Sequence, residues 1–311
     1  VFMKLKVLLS VVIISIVFYA CNNKKCPVSI IAASYNLRNA NHNDSVNGNG
    51  WGLRYPVIAG IVQYHDFDIF GTQECFIHQL EDMKKALPEY DYIGVGRDNG
   101  KTEGEHSAIF YRTDKFEVID KGDFWMSETP DVPSKGWDAV LPRICSWGHF
   151  KCKDSGFEFL FLNLHMDHIG KNARVESALL VLKKMKEIGD GLPVILTGDF
   201  NVDQTHKSYD VLVNKWTLCD SYEKCDIRYA TNGTFNNFDP NSFTKSRIDH
   251  IFVSPDFHVK KYGVLTDTYR TSVNNENMQT NDCPSEIDIK DCQARVPSDH
   301  FPVVVELEVL R

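Results

Sequence analysis

With 311 residues, 43% of them apolar and 24% charged, the chain has the make-up of a folded globular protein and lacks the bias of a disordered or fibrous one. Its formal net charge is −8; residues 1–20 hold two lysines and no acid, so without them 32 Lys+Arg face 42 Asp+Glu, a net −10. That balance argues against dense nucleic-acid coating, which is built on clustered Lys and Arg, while leaving room for a local basic groove.

The N-terminus stands apart from the rest. Lys4 and Lys6 precede the uncharged apolar run Val7 to Ala20, and Cys21 follows at once. A basic start before a short apolar run predicts a secretory signal, and the run is too short to span a bilayer comfortably. Ala20-Cys21 resembles the cleavage site of bacterial lipoproteins. Residues 1–20 are therefore expected to be a signal peptide with lipidation at Cys21, plain secretion or an uncleaved anchor being the alternatives. The protein is then expected in the bacterial cell envelope, periplasmic or surface-facing, tied to the membrane through Cys21. Val1 and Phe2 precede Met3, the expected start. Residues 22–311 show no repeat, low-complexity tract or linker, so a single domain and a monomer are expected.

Val28 to Tyr35 predicts a first strand that delivers Asn36 at its end. Pro56 to His65 carries Val57, Ile58, Ile61 and Val62 at helical spacing, with proline near the start where helices tolerate it. Phe67 to Gly71 is a short strand ending in Thr72-Gln73-Glu74, and Phe76 to Leu87 is an amphipathic helix stopped by Pro88. Strands follow at Ala108–Tyr111, Arg143–Lys151 and Phe157–His165, the last apolar on both faces as in the middle of a layered stack. Arg174 to Ile188 is the clearest helix, with Val175, Ala178, Leu179, Leu182 and Met185 on one side. Strands at Val194–Thr197, Ile248–Val253 and Pro302–Val309 complete the set. Without regular βαβ alternation, this mixture predicts α+β layers. The polar stretch 271–294 reads as a loop insertion.

Of nine cysteines, eight remain besides Cys21, an even number that permits disulfides in an exported chain. Cys283 and Cys292, which enclose a short polar loop, form the first candidate pair, and Cys219 and Cys225 the second. Cys145 and Cys152 fall on one extended strand, too far apart to join. No Cys/His spacing suggests a zinc site, and no cysteine reads as a nucleophile.

The strand ends carry the chemistry. In order they read Asn36, Gln73-Glu74, Tyr111, Asn163-Leu164-His165, Gly198-Asp199-Phe200-Asn201, Arg247-Ile248-Asp249-His250 and Ser298-Asp299-His300. Each string alone is weak: Gly-Asp-x-Asn is rich in turn formers, and a lone histidine is more often structural. Together, in order and placement, they resemble the endonuclease/exonuclease/phosphatase superfamily, the DNase I-like phosphoesterases, over roughly residues 28–309.

That resemblance implies a four-layer α/β/β/α sandwich, two packed mixed sheets flanked by helices. It also implies a phosphoesterase that drives in-line water attack with Mg2+, or Mn2+, as cofactor. Magnesium prefers oxygen ligands and few carboxylates, and the resemblance assigns it Glu74, Asn36 and Asp299. The catalytic set would be Asp199, Asn201, His165, Asp299, His300 and Asp249. Asp199 would align the water, Asn201 and His165 would meet the phosphoryl group, and Asp249 would support the metal or the histidine. Asn36, Tyr111 and Arg174 would bind substrate phosphate, with core packing an almost equal reading of Tyr111. Arg54, Arg97 and Arg143 are further phosphate candidates, each as readily a surface ion pair. The strings do not choose the substrate, which ranges from nucleic acid to a small phosphorylated metabolite. The loops 39–50 and 271–294 are where the family pattern stops guiding. Two alternatives stand beside this reading. One is a catalytically silent binding lipoprotein on the same fold; the other is a sphingomyelinase-like lipid hydrolase, disfavoured by the polarity of 271–294.

Overall fold

The computed structural model describes residues 28–309 except 190, 214–217, 278–283, 285 and 288. The signal-peptide and Cys21 expectations lie outside the described residues, as does Cys283 of the first candidate disulfide.

Fifteen strands are described, in chain order β1 (Ser29–Asn36), β2 (Ile69–Gln73), β3 (Tyr90–Ile93), β4 (Ile109–Arg112), β5 (Phe116–Trp125), β6 (Ile144–Cys152), β7 (Glu158–His165), β8 (Val194–Asp199), β9 (Cys219–Asp220), β10 (Ile227–Tyr229), β11 (Asp249–Val253), β12 (Phe257–Val264), β13 (Tyr269–Asn277), β14 (Lys290–Arg295) and β15 (Val303–Val309). They form a seven-stranded sheet, β10-β12-β15-β1-β2-β4-β3, a six-stranded sheet, β5-β6-β7-β8-β11-β9, and the hairpin β13-β14. β1 runs parallel to β2 and β7 parallel to β8, while β15 and β11 run antiparallel to them. The helices are α1 (His42–Val46), α2 (Trp51–Tyr64), α3 (Ile77–Ala86), α4 (Lys171–Ile188), α5 (Lys207–Leu212) and α6 (Ser221–Lys224).

The two-residue period of a strand assigns side chains to layers. In β7, Phe159 and Phe161 point into the core between the sheets, while Leu160, Leu162 and Leu164 face α4. In β1, Ile30 and Ala32 join the central core, and Ala33 and Tyr35 join the cluster that includes Ile58 and Val62 of α2 and Leu80 and Met83 of α3. The result is the expected four-layer sandwich: helices, mixed sheet, mixed sheet, helix.

The differences from expectation have local causes. Helix α4 begins at Lys171 rather than Arg174 because the Asp138 carboxylate, from a distant loop, accepts Asn172 N at 3.2 Å and Ala173 N at 2.6 Å. Its buried face runs through Ala173, Ser177, Ala178, Val181 and Met185, leaving Leu179 exposed. Helix α2 begins at Trp51, with Pro56 inside it, because Trp51 Nε1 donates to Asp82 of α3 at 2.9 Å and anchors the first turn. The segment 271–294 is not only loop, since its two ends pair as β13 and β14. Cys219 and Cys225 are both free thiols, separated by α6, and Cys225 Sγ donates to Tyr222 O.

One buried charge ties segments far apart in the chain to this frame. Arg54 of α2 is fully buried and donates to four carbonyls: Asn49 O at 2.8 Å, Leu37 O at 2.7 Å, Pro297 O at 3.0 Å and Arg38 O at 3.0 Å. It is a structural hub, not the phosphate ligand considered above. Arg54→Met should cost roughly 3–5 kcal/mol of stability in urea titrations, because several buried carbonyls lose their donor at once. Arg54→Lys should recover only part, since an ammonium cannot reproduce the fork. A loss below about 1 kcal/mol would mean that water replaces the guanidinium.

Candidate active site

Strand register brings the strings together at one edge. Across the six-stranded sheet His165 pairs with Asp199, and Asp199 with Asp249. Across the other sheet Asn36 pairs with Gln73, and Glu74 follows directly. The two edges face each other: Asn36 Nδ2 donates to Asp199 Oδ2 at 3.0 Å and to Glu74 Oε1 at 3.2 Å. Ser298 Oγ donates to Asn36 O at 2.6 Å, seating Asp299 and His300 in the same space. Glu74, Asn201 and Arg38 all have left-handed backbones, with φ of 66°, 50° and 57°. Such conformations persist in non-glycine residues only where the surroundings over-determine them.

Burial and neighbours split the titrating groups. Burial pulls the His300 imidazole down, but the Asp249 and Asp199 carboxylates outweigh it and hold its pKa well above the ordinary value. Its Nδ1 lies 2.8 Å from Asp249 Oδ2, and its Nε2 lies 3.8 Å from Asp199 Oδ2. Burial, joined by repulsion from Asp249, pushes Asp199 up to about 7. His165 goes the other way: burial, then Arg143 and Arg97, hold it well below the usual range. A neutral His165 suits its contact, because Asn201 Nδ2 donates to its Nε2 at 3.0 Å. The same amide nitrogen donates to Met166 O at 2.9 Å. Asn201 thus also orients His165 through its Nδ2.

Two groups of atoms are candidates for holding a cation. Ligand atoms of Asp199, Asp249 and His300 lie within 4.8 Å of one another. In that trio the imidazole already bonds Asp249, and Asp199 already accepts from Asn36 and from Asn201 N at 2.9 Å. In the second group Glu74 and Asp299 offer carboxylate oxygens, which suit magnesium, while Asn36 turns its Nδ2 to Glu74 and its Oδ1 accepts Arg38 N at 2.9 Å. Arg38 Nη1 stands between the two carboxylates, 3.8 Å from Glu74 Oε2 and 3.4 Å from Asp299 Oδ2. Burial first, then the nearby Glu74, raise the Asp299 pKa against the pull of His300, Arg38 and Arg54.

Beyond Glu74 and His165 the cleft ends in Arg97, Glu105, His106 and Arg143. Arg143 is 4% exposed; its Nη2 meets His168 Nδ1 at 2.9 Å, and its Nε lies 3.4 Å from Asp167. Among the described residues, Arg143 Nη1 and Arg97 Nε have no hydrogen-bond partner. Two expected site residues fall elsewhere. Tyr111 pairs with Ile69, at the far end of β2 from Gln73, and packs on Phe150 with ring centroids 5.3 Å apart. The antiparallel register of β4 puts Ala108, not Tyr111, beside the site. Arg174 is buried in α4 and donates to Asp167 O at 2.9 Å, bracing the loop behind Arg143 rather than facing the cleft. Arg38 and Glu105 were absent from the sequence-derived set; the only signal for Arg38 was its place two residues after Asn36.

Residues 33–300 match the endonuclease/exonuclease/phosphatase family. The chain is 74% identical to a protein of that family from Bacteroides thetaiotaomicron whose crystal structure superposes with a TM-score of 0.86, covering 92% of this chain and 100% of the other. It is 75% identical to a mannosyl-6-phosphatase from Bacteroides thetaiotaomicron, with a TM-score of 0.83 over 89% of this chain and 99% of that one. An uncharacterised protein of Acanthamoeba polyphaga mimivirus is 30% identical over 273 residues, 83% of this chain and 92% of its own length.

The His300–Asp249 contact is directly testable. By NMR titration His300 should remain protonated above the ordinary histidine pKa of about 6.5, and Asp249→Asn should bring it back down. The raised pKa also sets a sign for stability. The contribution of charged His300 is complete below about 6.5 and is lost as pH rises through its folded pKa. Unfolding measured across that window should therefore show stability falling with pH, and Asp249→Asn should flatten the fall. An unshifted His300 in the wild type would refute the assignment.

Proposed function

The chain belongs to the endonuclease/exonuclease/phosphatase family, enzymes that hydrolyse phosphoric ester bonds, and from that premise we propose that it is a divalent-metal-dependent phosphomonoesterase acting on a hexose phosphate. The observation that carries the reading is the pair of buried guanidinium groups at the end of the cleft. Arg97, ion-paired with Glu105, and Arg143, ion-paired with Asp167, each keep one nitrogen without a hydrogen bond among the described residues, and both line the crevice that His165 also lines. A terminal phosphate carries more charge than a diester and needs no exit for a second chain, so a buried pair of guanidinium groups suits it. The 75% identity to a mannosyl-6-phosphatase supports the same substrate class.

Glu74, Asp299 and Asn36 are the residues that would hold Mg2+ or Mn2+. A bound divalent ion neutralises charge on the phosphoryl oxygens and makes phosphorus a better electrophile. The protein's own groups do the rest. Asp199, with a pKa of about 7, takes the proton of the attacking water as its oxygen bonds to phosphorus. The ester oxygen departs with the P–O bonding pair and is protonated by solvent to the free alcohol. Positively charged His300, fixed by Asp249, stabilises the negative phosphoryl group from one side. Arg143 and Arg97 do so from the other, with Asn201 holding His165 in place. The silent-binder alternative loses ground because the Asp–His pair and the acidic residues are all present and assembled.

The same proposal includes export and lipidation at Cys21, supported by the basic-apolar pattern of residues 1–20. Among the described residues no helix is long and apolar enough to cross a membrane. Mass spectrometry should find a lipid adduct that Cys21→Ser abolishes; an unmodified Cys21 in the native host would refute it.

Turnover of mannose 6-phosphate and of bis-p-nitrophenyl phosphate, with Mg2+ or Mn2+ and with chelator, tests the activity. The monoester should be preferred and the chelated protein inactive. Asp199→Asn should lower kcat by about 10²–10⁴-fold, and Glu74→Gln should raise the metal concentration needed for half-maximal rate. A preference for the diester would overturn the monoesterase assignment, and full activity in chelator would overturn the metal requirement.

A further inference from the structure

The charged groups described so far surround the phosphoryl position, whereas the alcohol to which phosphorus is bonded must lie to one side of it. Beside His300, the segment 233–238 is clamped along the stretch that leads into β15. Phe301 N donates to Thr234 O at 2.7 Å, Asn236 N to Asp299 O at 2.8 Å and Asn237 N to Asp299 O at 3.1 Å. Phe235 stands directly on the His300 ring, centroids 5.1 Å apart and planes at 73°, yet it remains 40% exposed. Phe243, 69% exposed, lines the same hollow together with Asn236, Asn237, Ser242 and Thr244. Asn237 and Phe238 are consecutive left-handed residues, φ 52° and 61°, and Arg54 lies 5.5 Å over the Phe238 ring. Asn236 is 1% exposed; its Oδ1 accepts Phe238 N at 2.8 Å, while its Nδ2 has no partner among the described residues.

A single exposed phenylalanine is ordinary on a protein surface. Two of them, sharing one hollow with an unpartnered buried amide against the reactive imidazole, form a built surface. We propose that this hollow binds the sugar ring of the substrate, an inference that rests on the hexose-phosphate reading above. A pyranose has an apolar C–H face and a rim of hydroxyls. Phe235 and Phe243 supply the aromatic wall for the polarised C–H bonds, and the exposed amide of Asn237 meets the hydroxyls, with buried Asn236 shaping the loop beneath. The phosphate on the exocyclic carbon is then directed at His300, on which Phe235 stands. Selectivity for a hexose phosphate over an alkyl phosphate resides in this loop, and the chemistry in the strand ends.

The experiment compares kcat/KM for mannose 6-phosphate and for methyl phosphate, which has no ring, in wild type, Phe243→Ala and Phe243→Tyr. Phe243 is exposed, so folding is retained, and a thermal melt verifies it. For Phe243→Ala the value on mannose 6-phosphate should fall about five- to tenfold through KM. The loss on methyl phosphate should be several-fold smaller, and Phe243→Tyr should restore the preference. Equal losses on both substrates, or none on either, would overturn the subsite while leaving the hexose-phosphatase reading intact. A wild-type enzyme that does not prefer mannose 6-phosphate to methyl phosphate would overturn that reading and the subsite with it.

Discussion

The active-site geometry depends on one buried amide. Asn163 of β7, fully enclosed between the two sheets, donates from Nδ2 to Thr72 O at 2.8 Å and to Ala108 O at 3.0 Å. Its Oδ1 accepts Gln73 Nε2 at 2.6 Å and Thr197 Oγ1 at 3.1 Å. All four hydrogen-bonding positions of the side chain are used, and every partner lies directly beneath the catalytic edge. Gly71 makes this approach possible: a Cβ there would stand 2.2 Å from Asn163 Oδ1 and 2.5 Å from Thr197 Oγ1. The hydrophobic core sets the sheets face to face, but it has no directional preference. The amide fixes their separation and register where Asn36 and Glu74 must meet Asp199.

On that frame, two imidazoles of one site take opposite charge states. His165 and His300 are both buried and both near Asp199. His165 looks toward Arg143 and Arg97 and stays neutral; His300 is bonded to Asp249 and stays charged. Environment, not residue type, assigns the roles, and groups driven apart in pKa are what acid–base and electrostatic work at neutral pH require. The Asp249–His300 pair is built across different strands, β11 and the approach to β15, so its geometry is as rigid as the sandwich itself.

Much of this was legible in the residues, for a physical reason. Strands buried on both faces, such as β7 and β8, are continuous apolar runs, and their ends are marked by the sudden arrival of Asn163, His165 or Asp199. Strands β5 and β12 were missed because they are half-exposed and carry Asp120, Lys121, Lys260 and Lys261 among their apolar residues. The start of α4 was misplaced because its cap, Asp138, lies more than thirty residues away along the chain. Tyr111 was misplaced because the sequence does not show which end of an antiparallel neighbour meets the site. The arginines were the hardest to sort. Arg54, Arg97, Arg143 and Arg174 are chemically identical in the sequence, and only their partners separate a hub, a brace and two buried, ion-paired guanidinium groups lining the cleft. The hollow proposed for the sugar was not legible at all, since the Phe235 loop belongs to no strand and its placement depends on its clamp against Asp299.

The Ser298–Asn36 hydrogen bond spans 262 positions, and β1 lies between β2 and β15 in its sheet. The first strand therefore has an open edge until the last strand has been made. A chain emerging N-terminus first can form its hairpins and helices early, yet the catalytic edge stays incomplete until Asp299 and His300 arrive, and contacts of such separation form slowly. Premature termination would leave a truncated product with Glu74, His165 and Asp199 but no Asp299–His300, an exposed β1 edge and no hydrolytic activity. Synthesis thus withholds the chemistry until the segment leading into β15 has been made.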